Sequence, residues 1–254
     1  MKSGKLRLFW CKGMGIGNIG DVLSPWMLRV NGKPFGRAGA DHKRKLLMVG
    51  SIMSLAMPGD TVWGTGTNYS PLPLGLKCNG PWKIHAVRGP LTREAIRNAG
   101  YDCPEIYGDG GLVMPRLYSP TIAKAHKLGI VPHQVDMKFA KEHYPDKGVT
   151  VSPYRRDTQV PSFIDEMLAC ERIVSSSLHG LILAHAYGIP ARWVKMTDGL
   201  YGRPKDIKFR DYFASVGIKP YDPVWPQEKD WDTKVDLQID LEPLWATRPW
   251  KKTA

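Results

Sequence analysis

The stretch IVSSSLHG, residues 173–180, ends an apolar run with three hydroxyls and sets His179 just beyond them. If a strand closes here and a helix opens, Ser175, Ser176 and Ser177 can cap that helix and donate hydroxyls, and Gly180 falls in its first turn. The His179 imidazole then projects from the positive end of the helix dipole, beside whatever anion binds there. A histidine so placed is a proton donor, an anion ligand or a packed side chain. His185, six residues on, lies off that helix face, so the two histidines do not make a metal pair and no metal site is expected.

Three further stretches carry similar chemistry. GMGIGNIGD, residues 13–21, holds Gly15, Gly17 and Gly20 in the spacing G-x-G-x-x-G, which lets backbone approach a ligand and opens a helix toward an anion. A dinucleotide loop also needs an acid after the second strand to hold the ribose. Here that strand ends LLMVGS with no acid following, and Asp41 precedes it. No nicotinamide or other cofactor is therefore expected. The loop reads as the lining of a cleft, with Asn18 and Asp21 as its working residues. WGTGTN, residues 63–68, adds Thr65 and Gly66, either as cleft lining or as an ordinary turn. HAVRGP, residues 85–90, places Arg88 where its guanidinium could hold a carboxylate or phosphate bidentately. No G-x-S-x-G elbow, H-E-x-x-H pair or P-loop is present.

These residues share one kind of position, the junction between a strand and the helix after it. Short apolar runs at 6–11, 46–51, 61–64, 83–88 and 105–107 predict strands. PLTREAIRNAG, with proline in its first turn and Gly100 past its end, predicts a helix. A second series predicts strands at 128–133, 148–153, 172–177 and 191–196, with helices at 134–144, 160–170 and 178–188. Alternation of this kind implies parallel sheets with helices on their faces. The expected architecture is α/β, two Rossmann-like halves facing a central cleft, at residues 1–120 and 121–254 with a linker near 115–120. Ligands of such sheets bind beyond the carboxyl ends of the strands. The tail after about residue 221 is less readable, and a strap over the first half is one arrangement for it.

The 254 residues are 43% hydrophobic, enough for a substantial core, and carry a net charge of +12. That surplus suggests anionic partners without choosing among phosphorylated substrates, nucleic acid and an acidic membrane face. The basic residues are scattered, with short clusters at His42–Lys45, Arg155–Arg156 and Lys251–Lys252, so nucleic acid is not expected. Cys11, Cys78, Cys103 and Cys170 show neither C-x-x-C nor zinc spacing, which fits buried thiols in a reducing cytoplasm. No signal peptide or apolar run of membrane-spanning length is read, so a cytoplasmic location is expected.

The order GNIGD, VRGPLTREAIRNAG, YGDGGLVMP, IVPH and SSSLHGLILAHAYGIP resembles the polysaccharide pyruvyl transferase family, from about residue 15 to residue 194. The resemblance implies a GT-B-like fold and transfer of the enolpyruvyl carbons of phosphoenolpyruvate onto sugar hydroxyls, usually closing a pyruvate ketal. It implies a saccharide acceptor of exopolysaccharide or cell-wall type, often on a polyprenyl-phosphate carrier, and hence work at the inner membrane face. Basic residues would favour approach to that anionic surface. Mapped onto this chemistry, His179 is the general acid or phosphate partner and Asp21 the base, with Asp109 its rival. Arg88, the three serines, Asn18, Thr65, His133 and glycines 17, 20, 66 and 180 then bind substrate. Many members carry arginine where this chain has Ser177. Arg88 with helix N–H groups, or Arg155 or Arg156, is left to hold the donor anion, unless the donor itself differs. A nucleotide-sugar glycosyltransferase of the same fold, and a non-catalytic basic anion-binding protein, are the competing expectations.

Overall fold

The computed structural model describes residues 5–11, 17–68, 82–197, 206–223 and 236–250. Gly15, Cys78, Lys251 and Lys252 lie outside the described residues. In the first half, β1 (Leu6–Phe9), β2 (Phe35–Arg37), β3 (Leu46–Leu47), β4 (Thr61–Trp63) and β5 (Lys83–Ala86) form one sheet in the order β2-β1-β3-β4-β5. In the second, β6 (Gly129–Val131), β7 (Val149–Thr150), β8 (Ile173–Ser175) and β9 (Ala191–Trp193) form another in the order β7-β6-β8-β9. Every pairing in both sheets is parallel. Parallel neighbours need crossover connections, and helices supply those after β1, β6, β7 and β8. The helices are α1 (Ile19–Val30), α2 (Pro90–Asn98), α3 (Met137–His143), α4 (Val160–Leu168) and α5 (Leu178–Ala186), followed by α6 (Ile207–Ser215) and α7 (Glu242–Ala246). The chain is a two-lobed α/β protein.

The strands are shorter than the apolar runs that announce them. The run at 46–51 pairs only over β3, and Gly50, at φ +111°, then turns Ser51 and Ile52 out beyond the sheet. The run at 105–107 makes one parallel bridge, Val87 to Tyr107, and no strand. β2 lies in NGKPFGR, too short to show alternation. The helix expected from 134 begins as a 3-10 turn, Gln134–Asp136, before α3.

The lobes share one core. Helix α5, LHGLILAHA, is apolar on nearly every side and accordingly buried. It packs against β8, β9, α4 and a 3-10 helix, Gly110–Arg116, from the end of the first lobe. Leu23 and Met27 of α1, Leu112 and Met114 of that 3-10 helix, and Leu181 and Ile182 of α5 belong to a single buried cluster. The segment read as a linker thus begins inside a packed turn. Past α6 the chain comes back to the first sheet. There Trp63 Nε1 donates to the Leu244 carbonyl at 2.9 Å, and Trp250 meets the Trp63 ring edge-on at 4.8 Å.

Two fully buried ion pairs tie loops to the first sheet. Lys45 Nζ lies 2.5 Å from Asp60 Oδ2. Arg88 Nε donates to Asp211 Oδ2 of α6 at 2.9 Å. Asp211 also accepts from Thr92 N at 2.9 Å and Thr92 Oγ1 at 2.7 Å, at the start of α2. Removing one partner of such a pair strands the other charge away from water. Asp211→Ala should therefore lower unfolding free energy by about 3–5 kcal/mol in urea titration, whereas an exposed pair such as Arg210–Asp222 should change it by under about 1 kcal/mol.

Candidate active site

Both sheets end at one cleft of about 220 Å³. The first lobe reaches it with Cys11 after β1, Gly50–Ile52 after β3 and Asn68 after β4. The second lobe contributes His133 and Gln134 after β6, and Ser177 to His179 after β8. The amino ends of α1 and α5 meet there, so free backbone N–H groups and two helix dipoles favour an anion.

Asn18 caps α1, its Oδ1 accepting from Gly20 N at 3.2 Å. Its main chain is held from the other lobe, where Ile19 N donates to Pro153 O at 2.8 Å and Asn18 bridges Tyr154. Gly20 is a point of close approach. Its α-carbon sits against the His179 ring, and a Cβ there would overlap Nδ1. On the ring's far side, His179 Nε2 lies 3.7 Å from Asp109 Oδ2. Both atoms are buried and lack a hydrogen-bond partner among the described residues, while Asp109 Oδ1 accepts from Gly111 N at 2.8 Å. The imidazole is thus clamped between a glycine and an anchored carboxylate, with Asp21 nearby. Burial pushes the Asp21 carboxyl up from 3.8 to about 6, and the His179 charge pulls it the other way. A carboxyl so adjusted exchanges its proton near neutral pH, which suits an acid–base role. Burial, reinforced by Asp21, pushes the Cys11 thiol up to about 11, so it lines the cleft as a neutral thiol.

Of the residues anticipated from sequence, Asn18, Gly20, Asp21, His133, Ser177 and His179 line this cleft. The others stand one layer behind it. Arg88 is fully buried, and its fork is occupied by Asp211, by Ser51 Oγ at 2.7 Å and by the Thr67 carbonyl at 2.7 Å. It therefore supports Ser51, which does face the cleft. Thr65 Oγ1 donates to Gly50 O at 2.7 Å and shapes the same loop. Gly66 leaves room for the Arg88 guanidinium, and Gly180 for Ser175 and Val131, while Gly17 O accepts from Arg155 N at 2.7 Å. Ser175 Oγ donates to Val131 O at 2.7 Å, and Ser176 Oγ donates to Asp136 Oδ2 at 2.6 Å. Ser177, the residue capping α5, makes no side-chain hydrogen bond among the described residues, so its hydroxyl is available to a ligand. Arg155 pairs with Glu166 at 2.6 Å, and neither it nor Arg156 reaches the cleft. His185 is buried against Tyr212, its Nδ1 3.0 Å from the phenol oxygen, and burial lowers it to about 4.

Sequence reasoning missed the cation that does line the cleft. Lys208 of α6 is half-buried there. In IKFRDYF it reads as one more solvated helix position, and no local pattern marks it. Asn68, whose buried Oδ1 lacks a partner among the described residues, was missed in the same way, although the WGTGTN motif contains it.

The family model for polysaccharide pyruvyl transferases matches residues 52–196, more than half of the chain. An uncharacterized protein of Acanthamoeba polyphaga mimivirus is 34% identical over 179 residues, covering 67% of this chain and 60% of that protein. The succinoglycan biosynthesis protein ExoV of Rhizobium meliloti (strain 1021) is 26% identical over 213 residues, covering 80% of this chain and 62% of that protein. The matched regions thus span about three-fifths of each of these relatives. No solved structure matches the chain significantly. The matched region contains SSSLHG, whose Ser177 and His179 line the cleft where the two parallel sheets end, and the chain belongs to the polysaccharide pyruvyl transferase family.

Proposed function

We propose that the chain transfers the enolpyruvyl group of phosphoenolpyruvate onto sugar hydroxyls, closing a pyruvate ketal. The work would take place at the seam of two GT-B-like lobes, 1–120 and 121–254. The observation that carries this reading is the His179–Asp21 couple set between two helix N-termini. The donor bears a carboxylate and a phosphate. The helix N–H groups, Ser177 hydroxyl, Asn18 and Lys208 offer it positive charge and donors from both lobes. Lys208 then fills the electrostatic place of the arginine that Ser177 replaces, and Arg88 acts through Ser51 as a positioning residue.

The steps follow from this placement. His179 delivers a proton to the methylene carbon, so that carbon becomes a methyl and positive character moves to the carbon bearing phosphate. One sugar hydroxyl adds there while Asp21 accepts its proton. Phosphate leaves, a second hydroxyl of the same acceptor closes the ketal, and its proton departs with phosphate. The proton held on Asp21 then returns to His179, and Asp109 stabilises the recharged imidazole for the next turnover. The relative named for succinoglycan biosynthesis supports a saccharide of exopolysaccharide type as acceptor.

Three outcomes test this. In a thermal-shift panel, phosphoenolpyruvate should stabilise the protein more than inorganic phosphate, UDP-glucose or NAD does. A ligand at a hundred times its Kd contributes about 2.7 kcal/mol. A larger response to UDP-glucose would favour the glycosyltransferase reading instead. With a competent acceptor, His179→Ala should lower kcat by about 10²–10⁴-fold, and a change within about threefold would remove it as proton donor. The Asp21 carboxyl titrates higher in the folded chain than its ordinary 3.8, so the folded state holds the extra proton between about 4 and 6. Stability should fall as pH rises through that window in the wild type, and Asp21→Asn should flatten the fall in a series of urea titrations.

A further inference from the structure

At the opposite end of the first sheet from the cleft, the strands begin around a second groove of about 450 Å³. Arg7 of β1, Arg44 before β3, Lys83 of β5 and Arg248 after α7 line it, together with His85 of β5 and the turn 246–249. Lys45 also lines it, but its ammonium is neutralised by Asp60, so the one nearby buried carboxylate is already occupied. Among the described residues, the side chains of Arg7, Arg44 and Lys83 meet neither a carboxylate nor a carbonyl, and all three are exposed. Burial, and to a lesser degree the Lys83 charge, pushes His85 below its ordinary 6.5. Arg248 is held in place, its guanidinium 4.0 Å over the Trp245 ring and its NH1 bonded to the Trp245 carbonyl at 2.7 Å.

The backbone adds a second observation. Arg44 sits at φ +58°, and among the described residues it is the one non-glycine in that conformation. A left-handed arginine costs free energy that glycine would avoid. Strain of this kind collects at functional sites, where the side chain is what keeps the position.

We propose that this groove is a second anion site, taking a soluble small molecule that bears two adjacent phosphates. Its volume lies within the range of small-molecule pockets, about 300–1,000 Å³. One phosphate carries about −1.5 to −2 at neutral pH, less than the four cations lining this groove, and two come closer. Arginine forks suit phosphate oxygens bidentately. Leu6, Leu46 and Pro249 provide an apolar wall for the remainder of the ligand. The site stands independently of the cleft and of the pyruvyl-transfer reading.

Inorganic pyrophosphate is the probe, titrated calorimetrically into the full chain. The wild type should bind it, and Arg7→Gln with Lys83→Gln should weaken it by about tenfold or more. His179→Ala, in the other site, should leave this binding unchanged. Arg44→Gly separates binding from folding, because it removes a cation and relieves the backbone together. Its thermal midpoint should equal or exceed that of the wild type while its affinity falls. No pyrophosphate binding at millimolar concentration would overturn the proposal, as would binding that survives Arg7→Gln with Lys83→Gln. Loss of binding with His179→Ala alone would assign it to the cleft and also overturn the proposal. Association with phosphatidylglycerol vesicles that needs Arg7 and Lys83 but resists competition by pyrophosphate would replace the soluble ligand with a membrane surface.

Discussion

The site depends on a buried arginine that never faces it. Arg88 sits where β5 passes into α2, and its guanidinium has three partners from three places in the chain: Ser51, Thr67 and Asp211. An unpaired buried charge is far costlier than a paired one, so these partners stand or fall together. Asp211 is also bonded twice to Thr92, which binds α6 to the opening turn of α2. Because α6 is fixed this way, Lys208 is delivered to the cleft from a helix far along the sequence. The same guanidinium holds Ser51 at the cleft wall.

Packing places the side chains of the cleft as firmly as charge does. His179 can approach the opening turn of α1 only because residue 20 has no side chain. Asp109 caps the 3-10 helix that packs on α5, so the carboxylate and the imidazole are positioned by two elements that bury each other's apolar faces. Ser175 and Ser176 serve the same end. Their hydroxyls fasten β8 to β6 and to Asp136, which leaves Ser177 as the serine hydroxyl that lines the cleft.

Much of the cleft was legible in the sequence because its lining gathers at the strand ends. Asn18, Asp21 and His179 stood out because polar side chains beside glycines at the close of apolar runs have few structural uses. The alternation of runs and helices likewise foretold two parallel sheets. Distance along the chain hid the rest. Arg88 was conspicuous, but its partner Asp211 lies 123 residues away, and burial cannot be read from VRGP. Of three consecutive serines, the sequence could not say which one stays unbonded, since that is decided by Asp136 and Val131 on other elements. The fused core was invisible for a similar reason. LVMP and LHGLILAHA each look like the property of one lobe until they are packed together.

That fusion has a consequence for how the cleft handles water. Closure by a hinge requires bodies that pack separately and a few residues that absorb the rotation. Here Leu23, Leu112 and Ile182 belong to one cluster across the lobes. Parting them would expose apolar surface at about 25 cal/mol per Å². The core that the lobes share therefore opposes hinge opening. On the proposed transfer reading, a cationic intermediate would be kept from water by the acceptor seated beside it, which would act as the stopper.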